Sequence, residues 1–240
     1  ALAFVLGYYV LQKIFKKDGV PEEWLDSILL YVILGTVIGA RLGHCIFYDW
    51  DYFQNHILEI FLPFRFEPEI EFIGFRGLAS HGAAIGIIVS TWLWTKRVSK
   101  KTLFWILDRV VITVSIGAVF VRLGNLMNSE IIGLPTDLPW AFVFTRIDDL
   151  PRHPAQLYES LSYLLIFITL YFLHFVKKWY EKPGKIFGLF LVLLFGARAI
   201  IETFKENQSD FESAMFLNMG QVLSIPFILY GLYLIIKKSK

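Results

Sequence analysis

Apolar runs long enough to cross a hydrocarbon core of about 30 Å recur along this chain. They lie at 1–15, 25–48, 78–95, 103–126, 156–176, 186–204 and 215–236, which predicts about seven transmembrane helices. The connections between them alternate in charge. Lys13–Lys17, Lys96–Lys101, Lys177–Lys185 and Lys237–Lys240 hold fourteen of the 23 Lys and Arg, whereas the alternate connections hold only Arg65, Arg76, Arg146, Arg152 and Lys205. By the positive-inside rule the C-terminus is cytoplasmic and the N-terminus external. Charged residues make up 18% of the chain, below the roughly 25% of a soluble domain. A net charge of +2 gives no reason to expect nucleic acid as a partner.

No internal repeat, low-complexity tract or soluble second domain interrupts the 240 residues, so 1–240 reads as a single integral membrane domain. The chain opens inside an apolar run, Ala1 to Phe15, which reads as a first helix truncated at its N-terminus. The lysines at 13, 16 and 17 stand where a signal-peptide cleavage site would need small residues. The single cysteine, Cys45, lies in an apolar run and reads as a small buried hydrophobe. The external connections, 49–77 and 127–155, are too long for simple turns. Each holds a short alternating stretch, Glu69–Ile73 and Trp140–Phe144, that predicts a strand. The expected fold is an all-α membrane protein, a helical bundle with a small external cap containing short strands.

Charges within a membrane cost roughly 2.5–3.5 kcal/mol each at mid-helix on insertion scales. With the directions above, four helices bring polar groups to one depth near the outer face: Arg41, His81, Arg122 with Asn125 and Glu130, and Arg198 with Glu202. Each has an ordinary alternative. Arg41 can snorkel, Arg122 and Asn125 can serve a helix end, and Arg198 and Glu202, four apart, can neutralise each other. The adjacent pair Asp108 and Arg109 reads as interfacial. Taken together at one depth, the group reads as functional. Arginine suits phosphate because its planar fork gives two parallel hydrogen bonds and stays charged. The combination points to an anionic lipid. No metal-ligand spacing is present, so a metal-dependent phosphotransfer is not expected, and there is no serine nucleophile elbow or His-Glu-x-x-His. A transport pathway would need polar residues through the full depth, and the inner half has few. A lipid-binding structural protein differs from an enzyme chiefly by His81.

The segment Val121-Arg-Leu-Gly-Asn-Leu-Met-Asn-Ser-Glu-Ile-Ile-Gly133 resembles the signature of the prolipoprotein diacylglyceryl transferase family. Similar family stretches are Arg152-His-Pro-Ala-Gln-Leu-Tyr-Glu159, Gly39-Ala-Arg-Leu-Gly43, His81-Gly82, Gly196-Ala-Arg198 with Glu202, and Met219-Gly-Gln-Val-Leu-Ser-Ile-Pro226. Ala83, His44 and Lys205 depart from the residues common in that family, which are Gly, Tyr and Arg.

The resemblance implies a transferase of lipoprotein biosynthesis in the bacterial cytoplasmic (inner) membrane. Its substrates would be phosphatidylglycerol and preprolipoprotein signal peptides bearing a lipobox cysteine, with membrane lipids as surroundings. It implies a reaction without a cofactor, and catalytic roles for His81, Arg122 and Arg198. It implies substrate binding by Arg122, Asn125, Glu130, Gly133, Arg41, Glu202, His153, Gln156 and Tyr158, in a site facing the external side. The residue chemistry fits. A thiol with a pKa of about 8.5 needs a base near neutral pH, and His81 is suited to that. The arginines suit charge growing on a departing phosphate.

Overall fold

The computed structural model describes residues 2–66, 69–72, 79–205 and 217–237, with the side chains of Ser80, His81 and Met219 outside the description. The protein is mostly helical. Among the described residues four stretches are long and apolar enough to cross a membrane: Glu23–Phe47, Leu103–Asn128, Ala155–Phe175 and Lys185–Phe204. The other three expected crossings coincide with shorter helices. These are α1 (Leu2–Asp18, 17 residues), α5 (Ser80–Trp94, 15 residues) and α9 (Met219–Ile236, 18 residues). Residue 78 of the third expected run and residues 215–216 of the last lie outside the described residues, as does Arg76.

Contacts divide the chain into two compact units, Val20–Leu103 and the remainder. The first holds α2 (Glu23–Phe47), two short helices α3 (Trp50–Phe53) and α4 (Ile57–Phe61), and α5. Glycine brings α2 and α5 into backbone contact. A Cβ on Gly43 would sit 2.6 Å from Gly82 Cα, and one on Gly86 would sit 2.9 Å from Gly39 Cα. As residue numbers rise along α2 they fall along α5, so the pair is antiparallel. Small residues spaced by four are what let membrane helices approach this closely. Arg41 is buried within this unit. Its Nε donates to the Ile60 carbonyl at 3.0 Å and its Nη2 to the Glu59 carbonyl at 2.7 Å. Cys45 packs with Phe53 and Ile60, as expected of a small hydrophobe.

The second unit is built from α1, α6 (Leu103–Asn128), α7 (Ala155–Phe175), α8 (Lys185–Ile201) and α9. Helix α7 is inverted relative to a soluble helix. Gln156, Glu159, Ser160 and Tyr163 are buried, while Leu161, Leu165, Ile168 and Phe172 are exposed. An apolar exterior over a polar interior is the arrangement a lipid solvent favours. Asp108 and Arg109, expected at an interface, are instead fully enclosed. Asp108 accepts from the backbone amides of Gly184 and Phe187, both at 2.7 Å, and so satisfies the start of α8. Arg109 pairs with Asp18 of α1 at 2.5 Å, and the His174 ring of α7 lies 3.3 Å from the same carboxylate. Helices α8 and α9 run antiparallel. Phe195 stacks on Phe227 at 4.3 Å, and Gly188 lies against Gly231.

Both expected strands form, within shorter limits. Strands β1 (Phe64–Arg65) and β2 (Glu71–Phe72) pair antiparallel in the first unit, with Phe64 opposite Phe72. Strands β3 (Phe142–Val143) and β4 (Pro151–Arg152) do so in the second, with Phe142 opposite Arg152. Ile73, in the first predicted stretch, lies outside the described residues. In the first unit's connection Glu59 is enclosed. Burial pushes its carboxyl up, but the Tyr52 hydroxyl, the Phe66 amide and the charges of His56 and Arg65 outweigh this and hold it below the usual range.

Candidate active site

The end of α6 supplies the first part of the site. Arg122 and Asn125, one turn apart, share a face, and Arg122 Nη1 donates to Asn125 Oδ1 at 3.3 Å. The Asn125 amide then donates to Glu130 Oε2 at 2.6 Å, and Asn128 donates to Glu130 Oε1 at 3.4 Å. Glu130 is turned back onto the helix by a strained backbone. Ser129 and Ile131 have φ of 57° and 56°, a left-handed conformation that is costly for a β-branched side chain.

The start of α7 supplies the second part. Gln156 donates to the Glu130 carbonyl at 2.6 Å, and its Oε1 is buried without a partner among the described residues. Glu159, fully enclosed, lies between two cations. Its Oε2 is 2.9 Å from Arg122 Nε, an ion pair without hydrogen-bond alignment, and its Oε1 accepts from Lys205 Nζ at 2.9 Å. Lys205 also reaches Glu202 Oε2 at 3.3 Å, and Glu202 is 4.0 Å from Arg198 Nε. Arg198 and Glu202 are therefore a loose pair, and Lys205 is the closer partner of Glu202. Gly220, in the first turn of α9, leaves the room Glu202 needs, because a Cβ there would lie 2.8 Å from Oε1. Asn218 caps α9 and also donates to the Glu202 carbonyl at 3.3 Å.

The connection between α6 and α7 is tied to these parts by backbone. Gly133 N–H donates to the His153 carbonyl at 3.2 Å and Leu134 N–H to that of Phe204 at 2.9 Å. A side chain at Gly133 would meet His153 Cβ at 2.6 Å and the Phe204 carbonyl at 2.8 Å. Arg152 is buried, donates to the Gly133 carbonyl at 3.1 Å, and clasps Asp148. That clasp holds the Asp148 carboxyl below its ordinary range. Tyr158 Oη accepts from Trp140 Nε1 at 2.8 Å and lies 3.1 Å from His153 Nδ1.

Arg122, Asn125, Glu130, Gln156, Arg198 and Glu202 are thus linked within one unit by direct contacts and by two intermediaries. Gly133, His153 and Tyr158 form the wall beside them. Arg41 and His81 belong to the other unit. Arg41 holds two carbonyls at α4, and His81 stands in the first turn of α5 with its side chain outside the described residues. The sequence reading missed Glu159 and Lys205 as members of the charged network, and Arg152 as a buried brace. A signal for Glu159 was present: Gln156, Glu159, Ser160 and Tyr163 recur at the spacing of one helix face. Among the described residues no group of His, Cys, Asp and Glu is placed to hold a metal ion.

A helical membrane protein with a partly buried network of arginine, lysine and carboxylate side chains at one end of its helices is the class these features define. A family profile described as prolipoprotein diacylglyceryl transferase matches residues 1–237. The chain belongs to the prolipoprotein diacylglyceryl transferase family. Among curated proteins it is 45% identical over 238 residues to the phosphatidylglycerol–prolipoprotein diacylglyceryl transferase of Bacteroides fragilis, covering 97% of this chain and 84% of that one. The enzymes of the same description from Tolumonas auensis and Chloroherpeton thalassium are 43% and 42% identical. Each match covers all of this chain, and 89% and 86% of the relatives.

Proposed function

We propose that this protein transfers the diacylglyceryl group of phosphatidylglycerol to the lipobox cysteine thiol of preprolipoproteins. The reaction forms a thioether and releases glycerol 1-phosphate, the first step of bacterial lipoprotein maturation. The observation that carries the reading is the network joining Arg122 and Arg198. The Arg122 side chain is 18% exposed and the Arg198 side chain 39% exposed, so both guanidinium groups are open on one side. Three cations, Arg122, Lys205 and Arg198, face two carboxylates, Glu159 and Glu202.

In the proposed mechanism His81 accepts the proton of the substrate thiol. The thiolate attacks the terminal glyceryl carbon, a C–S bond forms, and the C–O bond to phosphate breaks. The electron pair leaves with the phosphate oxygen, where Arg122 and Arg198 stabilise the added charge. Asn125, Glu130, Gly133, Glu202, His153, Gln156 and Tyr158 shape the headgroup site, and Arg41 supports the substrate-binding region through its hold on α4. No cofactor enters this scheme. The chain acts as one integral domain with seven crossings of the inner membrane. Connections 49–77 and 127–155 and the site face outward, and the C-terminus is cytoplasmic, as the basic residues indicate.

The test is incubation of the purified protein with phosphatidylglycerol vesicles and a lipobox peptide, read by mass spectrometry. The expected result is a peptide heavier by one diacylglyceryl group. An unmodified peptide, with the lipid bound but unchanged, would leave a binding protein instead of an enzyme.

A further inference from the structure

Glu159 has no role in the reaction as written, yet it is the most enclosed charged member of the network. Its carboxylate is fully buried, whereas the side chain of Arg122 is 18% exposed. A buried ion pair contributes little net stability, because desolvation offsets much of the attraction. An apolar residue would fill the same space at lower cost, so stability alone does not account for a carboxylate here. Its geometry offers another reason. Glu159 Oε2 meets Arg122 at Nε, which leaves the edge formed by the two terminal nitrogens for other partners. One of these nitrogens, Nη1, is held by Asn125 at 3.3 Å. The other oxygen of Glu159 holds Lys205, which in turn holds Glu202 beside Arg198. One carboxylate therefore stands at the junction of both arginine arms.

We infer that Glu159 is a positioning residue that fixes Arg122 by its Nε edge, presents its Nη edge to the lipid phosphate, and through Lys205 and Glu202 keeps Arg198 in register with it. The inference rests on the proposed phosphate site. Arg122 without Glu159 still carries its charge but not its direction, and misplacement of about 1 Å in a positioning group costs on the order of a hundredfold in rate.

The experiment measures turnover and phosphatidylglycerol affinity for Glu159→Gln, alone and with Arg122→Lys, in lipid nanodiscs. Glu159→Gln is expected to lower kcat/KM by about tenfold or more. In the Arg122→Lys background the same change is expected to cost less than in the unaltered protein, since only its hold on Arg198 through Lys205 and Glu202 is then left to lose. Glu159→Gln with Lys205→Met removes both members of the enclosed Glu159–Lys205 pair and leaves Glu202 to Arg198, which guards against an unpaired buried lysine. It is expected to recover the thermal midpoint but not the affinity. Near-normal turnover in Glu159→Gln, an equal loss in both Arg122 backgrounds, or recovery of affinity in the Lys205 double variant would each overturn the positioning role. Arg122→Ala is the control for the site itself. If it turns over lipid normally, the phosphate site and the inference fall together. If it is inactive while Glu159→Gln is normal, only the inference falls.

Discussion

Glu159 on α7 and Arg122 on α6 meet at 2.9 Å, with the carboxylate enclosed and the guanidinium partly open. The pair fixes where the positive edge of the site points, and the remaining polar groups are arranged around it.

Arg122→Lys keeps the charge and loses the planar fork. A lysine has its three donors on one nitrogen, so it cannot reach Glu159, Asn125 and a phosphate from three separate points of a planar fork. Turnover is expected to fall by roughly a hundredfold, about 2.7 kcal/mol of transition-state stabilisation. Steady-state kinetics with a lipobox peptide checks this. Near-normal turnover would mean that charge alone suffices.

Asn125 divides its amide between two neighbours, its oxygen toward Arg122 and its nitrogen toward Glu130. Asn125→Asp sets a carboxylate 2.6 Å from where Glu130 now accepts, and like charges this close repel. Asn125→Asp should therefore lose more activity than Asn125→Ala near pH 7, and should recover part of it as the pH is lowered. Equal losses at every pH would show that the amide nitrogen does not matter.

The seam between α2 and α5 has no room for side chains. Gly86→Val should cost about 1–3 kcal/mol or prevent folding, because the new side chain meets the backbone of Gly35 and Gly39. A Cβ on Gly117 in α6 meets nothing within 4 Å, so Gly117→Ala should be neutral or stabilise the helix by up to about 1 kcal/mol. Thermal unfolding in detergent separates the two.

Glu59 supplies a pH test away from the site. Its folded carboxyl titrates below the usual range, although burial alone would push it up. It therefore adds stability above the unfolded carboxylate pKa of about 4.3, and that contribution is lost as pH falls through the lower folded value. Glu59→Gln should flatten the acid limb of a plot of thermal midpoint against pH. An unchanged acid limb would assign it to other carboxylates.

The positions of the helices were legible because their apolar runs are long. The network at the end of α6 was legible because Arg122 and Asn125 sit one turn apart within a distinctive segment. Glu159 was not, because its importance comes from partners 37 and 46 residues away in sequence, Arg122 and Lys205. The same applies to Asp108 and Arg109. Adjacent charges near a helix end look interfacial, and only the fold brings Gly184 and Asp18 to enclose them. Strands β2 and β3 showed as alternation in the sequence. All four are two residues long, but β1 follows Pro63 and β4 begins at Pro151, and proline reads against a strand.

The central claim is alkylation of a thiol by a glyceryl carbon with phosphate as the leaving group. The most direct measurement uses phosphatidylglycerol labelled separately in its glyceryl backbone and in its headgroup glycerol, with a lipobox peptide as acceptor. The account predicts backbone label on the peptide in a hydroxylamine-resistant thioether, and headgroup label released as glycerol 1-phosphate in equal amount. Label arriving as a single acyl chain in a hydroxylamine-sensitive thioester, with no glycerol phosphate released, would contradict it.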